Sequence, residues 1–166
     1  MNGLIQRALL AISIIGCLYA TAVAASNQDN GKALSGLQTA RVYFDVSLKD
    51  DNLLVFRMEL LDRTITQMQE AGLEVITVVG FRGGASRFIT RDEHYVLEEE
   101  ISNKKKIQQW VKQFSERGIV IEQCSIAADI HDIPHEDFME EVTVVGNGYI
   151  SLVGYQAQGY SVVPMD

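Results

Sequence analysis

Cys124 closes the hydrophobic run GIVIEQC and opens the small-residue segment SIAADI, and a single thiol at such a junction is a candidate nucleophile. The thiolate is the reactive form, and a free thiol with its reference value of about 8.5 is mostly protonated at neutral pH. A helix starting at Ser125 would favour the anion, because the unpaired N–H groups of its first turn carry partial positive charge. Arg82, in the segment GFRGGAS, is a cation that would add to this, while Glu122 and Asp129 would oppose it. The backbone N–H groups of Gly83 and Gly84, together with Ser125 and with Asn147 of GNGY, make a candidate anion-binding set. It suits a phosphate, a sulfur oxyanion or a persulfide.

Each of these readings has a plainer alternative. A cysteine at the end of a strand serves equally well as a small buried hydrophobe, and a Gly-Gly pair serves a tight turn that needs positive φ. The glycine segment lacks the Gly-Lys-Ser/Thr ending of a P-loop and the spacing of a dinucleotide fingerprint. No cofactor is expected. His131 and His135 follow Cys124 and raise the question of a Cys/His/His metal site, but Pro134 interrupts any helical face joining them, so solvated loop histidines are expected and no metal. His94 lies in a charged loop without a motif, and no Gly-x-Ser-x-Gly nucleophile elbow is present.

The elements that must position these groups follow from periodicity. Val42 to Val46 is a β-rich run, and Leu54, Met58, Leu61, Ile65 and Met68 recur at steps of four and three, which predicts a helix with one apolar stripe. Asp51 or Asn52 is the expected cap and Gly72 the expected terminator. Val75 to Val79 is a continuous apolar run, as expected of a strand covered on both faces. The pattern repeats with Ser102 as cap, Ile107, Trp110, Val111 and Phe114 on a stripe, Gly118 as terminator, and the strand IVIEQC. A strand VTVV (142–145), a helix over about 148–158 and a last strand YSVVP complete the chain. The segments GGASRFITRDEHYVLEEEI and IAADIHDIPHEDFMEE are expected to hold short helices and irregular connections.

The fold class is therefore α/β, a three-layer αβα arrangement of a parallel five-stranded sheet with helices on both faces and right-handed crossovers. In open sheets of this kind reacting groups gather outside the carboxyl ends of the strands. That rule brings Cys124, Arg82, Gly83, Gly84 and Asn147 to one edge.

The first residues carry one cation, Arg7, and then the apolar run ALLAISIIGCLYATAVA, which reads as a signal peptide cleaved after Ala24. IIGC also resembles a lipobox with Cys17 as the lipidated residue, but the apolar run continues past it, which favours ordinary cleavage and a periplasmic product. Residues 25–38 are polar and small and read as a flexible leader, so the domain is expected over 39–166. Cleavage would leave Cys124 with no partner for an internal disulfide in a compartment that oxidises thiols. A net charge of −8 argues against nucleic acid or an anionic membrane as partner.

The segments VVGFRGGAS, GIVIEQCSIAADI, VTVVGNGYISLV and GYQAQGYSVVPM together resemble the DsrE/DsrF-like family, also called the YchN-like fold, over about Ala40 to Pro164. The resemblance is to its exported branch. It implies the αβα fold above, self-assembly into trimers or hexamers, and sulfur relay, in which the cysteine after the third strand accepts a sulfane sulfur as a persulfide and passes it to a partner protein. Cys124 is the matching position. The well-studied carriers act in the cytoplasm, whereas this chain carries an export signal. A non-enzymatic oligomeric module binding a small anion or a protein, with a structural cysteine, is the competing expectation.

Overall fold

A computed structural model describes residues 29–166, of which Gly31–Asp166 form one compact unit. The expected signal peptide and Cys17 lie outside the described residues. Part of the expected leader is ordered as a short helix, α1 (Gly31–Leu34).

Five strands, β1 (Thr39–Val46), β2 (Glu74–Phe81), β3 (Val120–Cys124), β4 (Thr143–Val145) and β5 (Ser161–Met165), form one sheet in the order β4-β3-β2-β1-β5. Every pairing is parallel. The chain thus adds strands in one direction from β1 to β4 and then returns to the far side of β1. Right-handed crossovers place helices on one face while the chain moves one way and on the other face when it turns back. Accordingly α2 (Asp51–Glu70) and α3 (Ile101–Glu116) share one face, and α5 (Gly148–Ala157) lies over the other. A short helix, α4 (Ser125–Ile130), leaves the end of β3.

Under α2 and α3 the sheet contributes Val42, Phe44, Val46, Val79 and Phe81, which meet Leu54, Met58, Leu61, Ile65, Ile107, Val111 and Phe114. The helical stripe read from the spacing is therefore the buried one, apart from Met68, which is only partly buried. The cap differs from expectation. Asp50, not Asp51 or Asn52, accepts the Leu53 N–H at 2.8 Å, because it is the last residue still in extended backbone. Likewise Ser102 lies inside α3. A 3-10 turn over Glu98–Glu100 extends the helix backward, and the Glu100 carboxylate accepts the Leu97 N–H at 2.8 Å.

The two irregular segments hold 3-10 turns at Gly83–Ile89, Glu93–Tyr95 and His135–Asp137. Lys104, on α3 and 1 % exposed, ties the first of these segments down, its ammonium donating to the Arg87 carbonyl, the Thr90 hydroxyl and the Asp92 carbonyl. Burial pushes its pKa down to about 8.

Candidate functional site

Register places Tyr43 and Asp45 of β1, Gly80 and the following Arg82 of β2, and Glu122 and Cys124 of β3 on the α5 face. In a parallel sheet covered on both faces these positions would ordinarily be apolar. Here most are polar or ionisable.

Cys124 ends β3 and immediately precedes α4, with its thiol 4 % exposed and free of any disulfide. The first residue of α5 sits over it, and the Gly148 N–H donates to Sγ at 3.2 Å. Glycine suits so close an approach, since a Cβ there would lie 3.0 Å from the Cys124 Cβ and 3.5 Å from Sγ and would crowd the thiol. The sulfur thus meets a backbone N–H donor at the N-terminal end of α5.

Beside the thiol is a cavity of about 140 Å³. Arg82, Gly83 and His131 line it with Cys124, and Ile126, Ala127, Ile130 and Tyr149 give it apolar walls. A larger hollow of about 350 Å³, edged by Arg91, Gln108, Lys112 and Glu140, does not include the thiol.

Arg82 reaches the cavity, but its charge is engaged. Nε and Nη2 form a two-pronged pair with the Asp45 carboxylate, both at 2.7 Å, and Nη1 donates to the Tyr149 hydroxyl at 3.3 Å. The hydrogen bond to Asp45 raises the guanidinium pKa further above its ordinary value. Arg82 thus acts as a positioned donor and not as a free cation.

Gly83 lines the cavity with φ +55°, a left-handed conformation that disfavours other residues. Gly84 does not line it. A Cβ there would fall 2.4 Å from the Lys49 Cβ, so this glycine lets the loop pack against the one after β1. Ser125 opens α4 and is not among the cavity-lining residues. The Asn147 side chain caps α5, accepting the Tyr149 N–H at 2.9 Å, and so orients the helix whose next residue donates to the thiol. His131, expected as a solvated loop residue, closes the C-terminal end of α4 and enters the cavity, while His135 turns to Asp129 at 3.8 Å. Among the described residues, no three His, Cys, Asp or Glu side chains come together as a metal site.

Several participants have no counterpart in the sequence reading. Asp45 neutralises Arg82, Tyr149 roofs the cavity, and Gly148 donates to the thiol. Glu122, expected only to oppose the thiolate, accepts the Tyr155 hydroxyl at 2.9 Å. Tyr43 stands between Glu122 and Asp45, its hydroxyl above Gly80, and burial followed by these two carboxylates raises its pKa strongly. The detectable signal was the alternation in VYFDV, where Tyr43 and Asp45 occupy every second position of a strand otherwise fit for burial, and the acid Glu122 within the third strand.

A model of the DsrE/DsrF-like family matches residues 22–165. The chain belongs to the DsrE/DsrF-like family. Membership in it supports a general connection to sulfur relay. Among solved structures, a protein of unknown function from Methanobacterium thermoautotrophicum is similar, with a TM-score of 0.57 and 17% identity over 75% of this chain and 98% of that one. At that identity the likeness shows the fold, a DsrE-like parallel sheet between helices. A search of curated proteins gives no match.

Proposed function

We propose that this DsrE-family protein is an exported, periplasmic sulfur carrier in which Cys124 holds the sulfur as a persulfide. The observation that carries the reading is the Cys124 thiol beside a small cavity, with the Gly148 N–H on its sulfur. The thiolate attacks the terminal sulfur of a donor persulfide, R–S–SH. The donor S–S bond breaks, its inner sulfur leaves as R–S⁻ with the electron pair, and Cys124 becomes Cys–S–SH with no net oxidation or reduction. Arg82 and Gly83 line the cavity, the Gly148 N–H lies on the sulfur where charge resides, and His131 is the imidazole available there for proton exchange. Apolar walls and an already neutralised arginine favour a small, weakly charged sulfur donor over a multiply charged oxyanion.

Self-assembly into a trimer or hexamer is part of the proposal, supported by the exposed Ile126, Ile130 and Tyr149 at the cavity and the exposed Ile150 and Val153 on α5. A donor or acceptor protein would approach the same edge. Among the described residues no helix is long and apolar enough to cross a membrane.

Incubation with a sulfane-sulfur donor, followed by intact mass measurement, tests the reading. A gain of one sulfur atom that thiol reductant removes and Cys124→Ser abolishes is expected. An unmodified mass, or an adduct that persists in Cys124→Ser, would sink it. The near-complete burial of Cys124 favours a second reading, an oligomeric binding module with a structural cysteine. In that case a thiol reagent reacts only after denaturation.

A further inference from the structure

Glu122 is a buried carboxyl that the thiol chemistry above does not use. It stands two residues before Cys124 on the same face of β3 and is 8 % exposed. Oε1 accepts the Tyr155 hydroxyl, while Oε2 is buried without a partner. A half-satisfied buried carboxyl costs stability, and an apolar residue would pack there at lower cost.

Its partner belongs to the helix that serves the thiol. Tyr155 lies seven residues beyond Gly148 on α5, about 10 Å along the axis. The Gly148 end touches Sγ and the Tyr155 end is tied to Glu122, so two neighbouring residues of β3 grip both ends of one helix. Other attachments of α5 are thin. Gly148 is its one fully buried residue, and Ile150 and Val153 point to solvent. The contact between Arg82 and Tyr149 is exposed, whereas Tyr155 is half-buried with its ring 5.4 Å from that of Tyr43.

We propose that Glu122 is a positioning residue for Cys124. By holding Tyr155 it fixes α5 so that the Gly148 N–H stays on Sγ and favours the thiolate. The biological use rests on the sulfur-carrier reading of Cys124, but the geometry does not. The ionisable groups facing the thiol region are Glu122 from its own strand, Arg82 with Asp45 behind it, His131 from the end of α4 and Tyr149 from α5. As a charge, Glu122 opposes a nearby thiolate, and as an anchor it supports one. Substitution separates the two effects.

The test is the rate of Cys124 alkylation by iodoacetamide in the full chain between pH ~6 and ~9, the range in which thiols ionise. Tyr155→Phe removes the hydroxyl and keeps the ring contacts with Tyr43 and Tyr160. It is expected to slow alkylation at neutral pH by about three- to tenfold, the size of one lost hydrogen bond, with the profile midpoint moved to higher pH and the alkaline plateau unchanged. Glu122→Gln still accepts from Tyr155 and loses the charge, so its midpoint stays at the wild-type position or moves lower. A Tyr155→Phe profile superimposed on wild type overturns the proposal, and so does a lowered plateau with an unmoved midpoint, which reports access alone. A Glu122→Gln midpoint raised as far as that of Tyr155→Phe also overturns it. If no sulfur adduct forms but Tyr155→Phe still shifts the profile, the carrier reading falls and the positioning role stands.

Discussion

The face of the sheet under α2 and α3 and the face under α5 are built from alternate residues of the same strands, yet they have opposite chemistry. Val42, Phe44 and Val46 face one way into a core of aliphatic and aromatic side chains, while Tyr43 and Asp45 between them face the other. On the first face the buried Lys104 ammonium has three oxygen acceptors. On the second, the Glu122 carboxyl has one satisfied oxygen and one orphan. The ionisable side chains of the strands gather under α5, whereas buried polar atoms without a partner occur on both faces, Thr77 Oγ1 and Gln123 Oε1 on the first and Glu122 Oε2 on the second. A single short helix there leaves the thiol close to the surface and to one small cavity.

The two faces are expected to respond differently to substitution. Leu61→Ala, deep in the apolar face, is expected to cost about 2–5 kcal/mol in urea unfolding, whereas Cys124→Ser changes stability by less than about 1 kcal/mol. Equal losses would show that the α5 face is core as well.

Asp45→Ala should cost about 1.5–3 kcal/mol, since it removes both charge-assisted hydrogen bonds to Arg82. The released guanidinium is then free to face the cavity, so Cys124 alkylation at neutral pH should accelerate while the unfolding midpoint falls. Slower alkylation would mean that Arg82 serves the thiol only when Asp45 holds it.

Gly80→Ala places a methyl 1.8 Å from the Tyr43 hydroxyl oxygen and forces that ring to move, at about 1–3 kcal/mol. Loss of the tyrosine packing should appear in near-ultraviolet circular dichroism. A wild-type spectrum would show that Tyr43 is not locked over Gly80.

The smallest effect expected is a pH slope. The Lys104 pKa is about 8 in the folded chain against 10.5 for the free side chain, so between these values the unfolded chain binds more protons and stability rises with pH. Lys104→Met removes that rise. Tyr43 and Tyr155, with pKa values raised above 10.0, bring the opposite trend above about pH 10 as stability is lost, but in both proteins alike. The difference between wild type and variant in urea midpoints at pH ~8 and ~10 isolates the lysine. A constant difference would mean that the ammonium titrates normally.

Much of the fold was legible because its signals are local. The stripe Leu54, Met58, Leu61, Ile65 needs only helical spacing to identify a buried face, and Gly72 and Gly118 adopt the positive φ that ends a helix. Caps were less legible. Asp50, Asp51 and Asn52 are all competent, and the choice depends on where the chain leaves extended backbone. At the site, Cys124, Arg82 and Gly83 could be placed on one edge from the order of strands and loops. Asp45 could not be paired with Arg82, nor Glu122 with Tyr155, because residues 37 and 33 apart meet only through strand register and the return of α5.

The sequence by itself determined the alternation of strand and helix, the apolar stripe of α2, and a lone thiol at the end of the third strand, since each is a matter of period or position along the chain. Tertiary structure alone decided that Arg82 is neutralised, that His131 enters the cavity, and that the donor on the thiol is Gly148, a residue 24 positions away. The first depends on the register of β1 against β2 and the last on the reversal of strand order after β4, which carries α5 across to the polar face, and no local pattern encodes either.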